Sequence, residues 1–123
     1  MIKYGGCSAL PKNKTAAIYK SSKICISVNN INEEKYTSDR IFNILACRGF
    51  ALVHYYDGIE LDFENKKHLV WWKTIDEMME YIEYYLNNES ERCEIADNGY
   101  NHVWSNHKWS DRINFLNKNI LKW

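Results

Sequence analysis

The apolar positions of this chain fall into two patterns, short continuous runs and stripes at helical spacing. The short runs are rich in β-branched and aromatic residues and are bounded by turn signals such as Asn29-Asn30, which is typical of buried strands. They predict three or four strands, with a short one at residues 2–4 and further ones at residues 23–28, 50–54 and 68–72.

The helix predicted after the second strand has well-defined ends. Ser38 is a suitable N-cap, and Asp39 beside it complements the positive end of the helix dipole. Gly49 is expected to supply the C-terminal stop. The inward stripe of this helix consists of Ile41, Phe42, Leu45 and Ala46. We also predict a helix that begins at Pro11 and runs through Tyr19, and a helical turn at residues 59–63.

The C-terminal part of the chain is predicted to be helical. Thr74-x-x-Glu77 forms a capping box. The helix that follows carries an apolar stripe at helical spacing, made of Ile75, Met78, Met79, Ile82 and Leu86. A second helix starts near Asn88 and is expected to bury Ile95, Ala96, Gly99 and Val103. A third starts near Ser110 and is expected to bury Ile113, Leu116 and Ile120.

Strands that alternate with helices predict an α/β fold with a small, mainly parallel sheet between helical layers, closed by C-terminal helices. At 123 residues the chain is expected to form one domain, residues 1–123.

Charge and composition exclude several classes of partner. Sixteen basic and sixteen acidic side chains cancel, so we expect no nucleic acid and no membrane surface as partner. No apolar run approaches the roughly 20 residues that a membrane span needs, and MIKYGGCSAL lacks the core of a signal peptide. The cysteines form no CxxC pair and are expected to be reduced, in the cytoplasm. We expect no metal site, because the four histidines lack ligand spacing, and no cofactor.

Candidate binding residues surround the predicted Ser38 helix. Arg40 lies in the first turn, where a guanidinium and helix amides bind phosphate, and Asn43 lies one turn further on the same face. Gly5 and Gly6 follow the first predicted strand, where a bare backbone lets a phosphate approach. The loop after the second strand supplies the remaining candidate contacts, which are Asn29, Tyr36, Thr37 and Ser38. The alternative is a solvated Arg40, a simple Gly5-Gly6 turn and a Ser38 that only caps the helix.

Three segments carry a resemblance to a known family. ICISVNN, SDRIFNILACRGFALVH and HLVWWKTIDEMMEYIEYYLNNESERCEIADNGYNHVWSNHKWSDR occur in this order between residues 23 and 121. Together they resemble the C-terminal half of group 1 glycosyltransferases, most closely the spore-maturation CgeB-like branch. The resemblance implies the GT-B architecture, in which two Rossmann-like halves flank the active site. It also implies that the C-terminal half binds the nucleotide-sugar donor and that no catalytic metal is used.

The resemblance assigns roles to individual residues. It implies a diphosphate-binding role for Arg40. Asn43 occupies the position of the family's glutamate, which holds ribose or sugar hydroxyls, and Arg48 replaces the first glycine of a Gly-Gly pair. Both replacements alter the expected donor pocket. His107 and Arg112 match the closing motif of the family and are expected to tie the last helix to the domain.

Three functions follow from these observations. The first is a donor-binding half of a glycosyltransferase, whose acceptor is held by a partner chain. The second is non-catalytic nucleotide binding in a sensor, sequestering or regulatory protein, which Asn43 and Arg48 favour. The third is a protein-interaction scaffold, for which the many aromatic residues would provide a surface, covered by a homodimer or by a separate partner.

Overall fold

The computed structural model describes residues 11–29 and 33–121. The strand predicted at residues 2–4 and the candidate residues Gly5 and Gly6 lie outside the described residues. The described elements are, in chain order, α1 Lys12–Ser21, β1 Cys25–Ser27, α2 Asp39–Ala46, β2 Ala51–His54, α3 Ile59–Asp62, β3 Val70–Trp72, α4 Ile75–Asn87, α5 Glu89–Asn106, α6 Trp109–Leu116 and a π-helical turn Asn117–Leu121.

The three described strands form a parallel sheet in the order β1-β2-β3. In this register Cys25 lies beside Ala51, and Leu52 lies beside Val70. The α/β class and the parallel sheet are therefore confirmed. Each of the strands predicted at residues 23–28, 50–54 and 68–72 is present, in a somewhat shorter form.

Helices cover both faces of the sheet, which confirms the Rossmann-like, three-layer arrangement. Ala51 and Val53 of β2 belong to one core cluster, together with Ile41 of α2. Leu52, between them, belongs to the other cluster, together with Tyr85 of α4. This division follows from the alternation of side chains along a strand. Helix α5 contributes to both clusters, with Ile95 in the second and Val103 in the first.

The end of α2 differs in detail from the prediction. The left-handed residue after the helix is Arg48, with φ of 61°, rather than Gly49. The Arg48 amide donates to Leu45 O at 3.0 Å and the Gly49 amide donates to Ile44 O at 2.9 Å, which is the Schellman pattern. Gly49 is required for another reason, because a Cβ there would lie 2.9 Å from Cγ2 of Ile44.

One of the predicted inward stripes is wrong in part and another is wrong throughout. In α4, Met78 and Ile82 pack against the core as predicted, whereas Ile75 and Met79 are 62% and 57% exposed and Tyr85 is buried. The tyrosine side of α4 faces the sheet because large aromatic side chains bury more apolar area there. In α6, Ile113 and Leu116 are exposed, as is Ile120 in the turn that follows. Within the part of the chain that the structure describes, no side chain of α6 is buried.

In contrast, α5 buries the residues that its sequence predicts. Ile95, Ala96, Gly99 and Val103 are all buried, and Arg92 is buried with them. The Arg92 guanidinium donates from Nη1 to the Tyr85 carbonyl oxygen at 2.6 Å, which gives the buried charge a partner. None of the helices within residues 11–29 and 33–121 is long and apolar enough to cross a membrane.

Candidate functional site

A cleft of about 390 Å³ opens beside the first turn of α2. The loop after β1, the end of α3 and the junction of α5 with α6 form its other walls. Its lining combines two cations, two carboxylates, three aromatic rings and three further polar side chains, namely Lys35, Arg112, Asp39, Asp62, Tyr36, Phe42, Trp109, Thr37, Asn43 and His107. Ligands of open parallel sheets bind at the carboxyl ends of the strands, and the loop after β1 starts at that edge.

The structure separates the candidate residues into two groups. Tyr36, Thr37 and Asn43 line the cleft. The Arg40 guanidinium is exposed and donates from Nη1 to the Val28 carbonyl oxygen at 3.4 Å, so it lies on the β1 side of α2. The phosphate-binding role of Arg40 stays a prediction, although Arg40 does not line this cleft beside Asn43. The physical reason is that Val28 O offers the guanidinium an acceptor away from it.

Two further candidates hold the loop in place. The Ser38 hydroxyl accepts a hydrogen bond of 3.3 Å from the Arg40 amide, which is the N-cap that the sequence predicts. The Asn29 amide nitrogen donates to the Tyr36 carbonyl oxygen at 3.5 Å. Neither side chain lines the cleft; Asn29 connects the β1 end of the loop to Tyr36, and Ser38 fixes the start of α2.

A hydrogen-bonded chain of three side chains orients Asp62. Thr37 donates from Oγ1 to Oδ2 of Asp62 at 2.9 Å, and the Tyr56 hydroxyl donates to Oγ1 of Thr37 at 2.9 Å. Burial raises the pKa of Tyr56 to about 12, so its hydroxyl stays protonated and remains a donor. The Thr37 proton is already used, and Thr37 therefore positions Asp62 rather than donating to a ligand.

Three histidines lie together behind the cleft wall. The ring of His68 stacks on that of His102, with centroids 3.9 Å apart, and His102 Nε2 donates to the Asp62 carbonyl oxygen at 2.6 Å. Nε2 of His107 lies 3.2 Å from Nε2 of His102. Burial lowers the pKa of His68 and of His107, so these two rings favour the uncharged form.

His107 and Arg112 connect the start of α6 to α2 and α3. The His107 ring packs 5.3 Å from the Phe42 ring, and Arg112 lies over the same ring at 5.3 Å. Arg112 also donates from Nη2 to Nδ1 of His107 at 3.4 Å. These contacts give both residues the tying role that the resemblance implied, and both residues also line the cleft.

Asp62, Lys35 and Trp109 line the cleft but were not among the sequence candidates. Asp62 and Trp109 belong to helices that follow β2 and α5, and no local pattern connects them to the loop before α2. Asp39 and Phe42 were noted only as a helix terminus and a core residue. The available signal was the position of Asp39, three residues before Phe42 and four before Asn43, because residues three and four apart share a face.

Arg48, expected to alter the donor pocket, lies outside the cleft. It follows the C-terminal end of α2, whereas the cleft is at the N-terminal end. Its guanidinium lies 3.4 Å from Oδ1 of Asp97 and 4.2 Å from the ring centroid of Tyr100. Arg48 therefore does not contact this cleft, because the length of α2 lies between them, and its effect on a donor pocket stays a prediction.

Outside the cleft, we looked at the other residues of the described chain that could form a metal site, an aromatic stacking site or a reactive thiol. Among residues 11–29 and 33–121, no three His, Cys, Asp or Glu side chains are grouped so as to hold a metal ion. His54 packs against Trp72 with ring centroids 4.5 Å apart, and Tyr55 packs against Trp71 at 6.0 Å. Cys25 is buried as a free thiol. These residues serve packing.

The fold and the cleft define a Rossmann-like α/β domain with a polar ligand site beside a helix N-terminus. The sequence model of the glycosyl transferase-like family matches residues 5–118 of the 123 residues. The chain therefore belongs to the glycosyl transferase-like family. Comparison with curated proteins and with solved structures gave no match. Membership confirms the glycosyltransferase part of the resemblance, while the CgeB-like branch and the GT-B architecture stay predictions.

Proposed function

We propose that this glycosyltransferase-type domain binds the diphosphate and sugar-nucleotide hydroxyls of a nucleotide-sugar donor in the cleft beside α2. The observation that carries the proposal is a cleft beside the N-terminus of α2 that is lined by two cations, two carboxylates and neutral polar groups, in a chain of the glycosyl transferase-like family. Its volume of about 390 Å³ lies within the usual range for small-molecule sites.

The cations that line the cleft suit phosphate. Arg112 offers a planar fork that matches phosphate oxygens, and Lys35 adds a second positive charge from the loop. The N-terminus of α2 contributes the positive end of its dipole. Arg40 lies on the β1 side of the same helix turn, where it is available to a phosphate that reaches past the cleft. These groups supply the diphosphate part of the site.

The Asp62 carboxylate in the cleft suits hydroxyl groups. Thr37 holds Oδ2 of Asp62, which leaves lone pairs on the Asp62 carboxylate for ribose or sugar hydroxyls. Asn43 adds one acceptor oxygen and an N–H donor. The carboxylate that the resemblance leads one to expect at position 43 is thus supplied from α3 by Asp62.

Transfer of the sugar also requires an acceptor. In the GT-B architecture that the resemblance implies, the acceptor is held by the other half, and we assign that role to a partner chain or to a second copy. The CgeB-like branch is part of the same proposal. A second candidate is nucleotide binding without transfer, which is favoured by an amide, Asn43, where the family has a glutamate.

Calorimetric titration with UDP, GDP, ADP-ribose and their sugar conjugates tests the proposal. We expect saturable binding of at least one of them and a weaker affinity for Arg112→Ala, by about tenfold for a lost charged hydrogen bond. Arg48→Ala is the matched control, because Arg48 is an exposed arginine at the other end of α2. Binding with slow release of nucleoside diphosphate indicates transferase activity, and binding without turnover indicates the second candidate. If no nucleotide binds, the proposal fails.

A further inference from the structure

A second cavity, of about 300 Å³, lies between α4, the start of α5 and the turn before β3. It shares no lining residue with the cleft beside α2. Three tyrosines of α4, two glutamates and one lysine surround it, namely Tyr81, Tyr84, Tyr85, Glu80, Glu91 and Lys66. The residues come from three elements, so the cavity is a product of the tertiary structure.

The three tyrosine rings form a corner rather than a flat surface. The rings of Tyr84 and Tyr85 are nearly perpendicular, at 88°, with centroids 5.0 Å apart. The ring of Tyr81 is tilted by 45° from that of Tyr85 at 6.3 Å. Tyr85 is buried against Phe50, which fixes the floor of the corner. Rings at these angles present their electron-rich faces in different directions around a common space.

The Lys66 ammonium already contacts one of these rings. Nζ of Lys66 lies 5.4 Å from the centroid of the Tyr81 ring, within the range of a cation–π contact. Lys66 has a φ of 60° in a turn closed by its amide, which donates to Leu69 O at 2.7 Å. The turn therefore directs a cationic side chain to Tyr81, and it does so in a backbone conformation that is uncommon for lysine.

The ionised groups of the cavity favour positive charge. Glu80 and Glu91 bring two negative charges against the single positive charge of Lys66. Oε2 of Glu91 accepts a 2.6 Å hydrogen bond from the Tyr84 hydroxyl, so this oxygen is occupied. A primary ammonium needs hydrogen-bond partners when it leaves water, whereas a methylated ammonium loses little hydration and binds to ring faces.

We propose that this tyrosine corner is a binding site for a small methylated ammonium compound, with Lys66 as an internal competitor for the ring of Tyr81. The site takes the cation against Tyr81 and Tyr84, over the floor formed by Tyr85. Glu80 and Glu91 supply the compensating charge. This proposal is independent of nucleotide binding, since the two sites have separate linings.

Titration of the whole chain with choline at constant ionic strength tests the proposal, followed by calorimetry or by amide chemical shifts. The neutral comparison is 3,3-dimethylbutan-1-ol, in which carbon replaces the charged nitrogen. We expect saturable choline binding and an affinity for the alcohol at least about fivefold weaker. Lys66→Met is expected to tighten choline binding by about two- to fivefold, because it removes the competing ammonium.

Lys67→Met is the matched control, since the Lys67 ammonium pairs with Glu64 at 2.8 Å and does not line the cavity. Tyr84→Leu, at an exposed position, is expected to weaken choline binding by about two- to fivefold. Equal affinities for choline and the alcohol, an equal effect of the two lysine substitutions, or absence of saturable choline binding would each overturn the proposal. If the Tyr84→Leu variant does not fold, the comparison of choline binding by Lys66→Met and Lys67→Met still tests the proposal.

Discussion

Thr37 donates a hydrogen bond of 2.9 Å to Asp62, a residue 25 positions away in the sequence. The bond joins the loop before α2 to the end of α3, and the Tyr56 hydroxyl extends it by donating to Thr37 at 2.9 Å. The cleft thus contains a carboxylate whose position is set by two neutral hydroxyl groups. The stability of the fold and the ligand preference of the cleft should both depend on this chain of hydrogen bonds.

Thr37→Val is expected to lower the free energy of unfolding by about 1–3 kcal/mol, because it leaves the buried Tyr56 hydroxyl without its acceptor. Tyr56→Phe should cost less, since it removes the donor together with its need for a partner. In the double variant the two effects should not add, because the residues share one hydrogen bond. Urea denaturation of the three variants measures this, and additive losses would contradict the coupling.

Asp62→Asn is expected to reduce the preference for ribose in a bound nucleotide, and this prediction rests on the proposed function. The titrations compare a nucleoside diphosphate that binds the wild-type chain with its 2′-deoxy and 3′-deoxy analogues. One hydrogen bond to a charged group corresponds to a change of roughly tenfold in that preference. Asp39→Asn is the matched control in the same cleft. An unchanged preference in Asp62→Asn would refute the role of Asp62 while nucleotide binding itself stands.

The histidine cluster is expected to make stability depend on pH. The pKa values of His68 and His107 are lowered from 6.5 mainly by burial, so the unfolded chain binds protons more readily. Their contribution to stability is complete above about pH 6.5 and is lost as the pH falls towards the folded-state values. Besides His102, the charged groups Asp62, Glu64, Lys67 and Arg112 influence these two rings.

Thermal unfolding between about pH 7.5 and about pH 5.5 measures this dependence, since histidines titrate in that range. When the pH is lowered over this range, the melting temperature of His107→Gln should fall less than that of the wild-type chain. His54→Gln, which lies against Trp72 and outside the cluster, is the control. An equal slope for wild type and His107→Gln would show that His107 does not contribute.

Gly99→Ala is expected to destabilise the fold by about 1–3 kcal/mol, although alanine is the better helix former. A Cβ at position 99 would clash with the His68 carbonyl oxygen and would lie 2.9 Å from Cδ2 of Leu45. The exposed Asn101→Ala in the same helix is the control and should be neutral or slightly stabilising. Denaturant unfolding of both variants measures the difference, and a Gly99→Ala chain as stable as wild type would contradict the close approach.

Local features of the fold were predictable because their causes are local. The Thr74 hydroxyl accepts from the Glu77 amide at 3.2 Å, and the Glu77 carboxylate accepts from the Thr74 amide at 3.3 Å, as the capping-box sequence predicts. Ser38 caps α2 in the same way. The strands followed from short apolar runs, and their parallel pairing followed from the helices between them.

The inward face of α4 was predictable from periodicity only in part, since Met78 and Ile82 pack on the core but Ile75 and Met79 do not. Its helix carries an aliphatic stripe, which includes Ile75 and Met79, and an aromatic one, which includes Tyr81 and Tyr85. Periodicity shows that a helix has an apolar face. Where a helix has two such faces, periodicity does not show which of them packs on the core. Packing on the sheet selected Tyr85, which left Ile75 exposed and created the tyrosine corner.

The sequence by itself determined the α/β class, the parallel pairing of the strands and the N-caps of α2 and α4. Each depends on residues close together in the chain, whose propensities and hydrogen bonds act locally. Only the tertiary structure decided that Asp62, His107 and Arg112 share a cleft with Thr37 and Asn43, and that the Arg40 guanidinium turns away from this cleft to Val28 O. These groupings depend on packing between distant segments, and packing is set by the shape of the whole core.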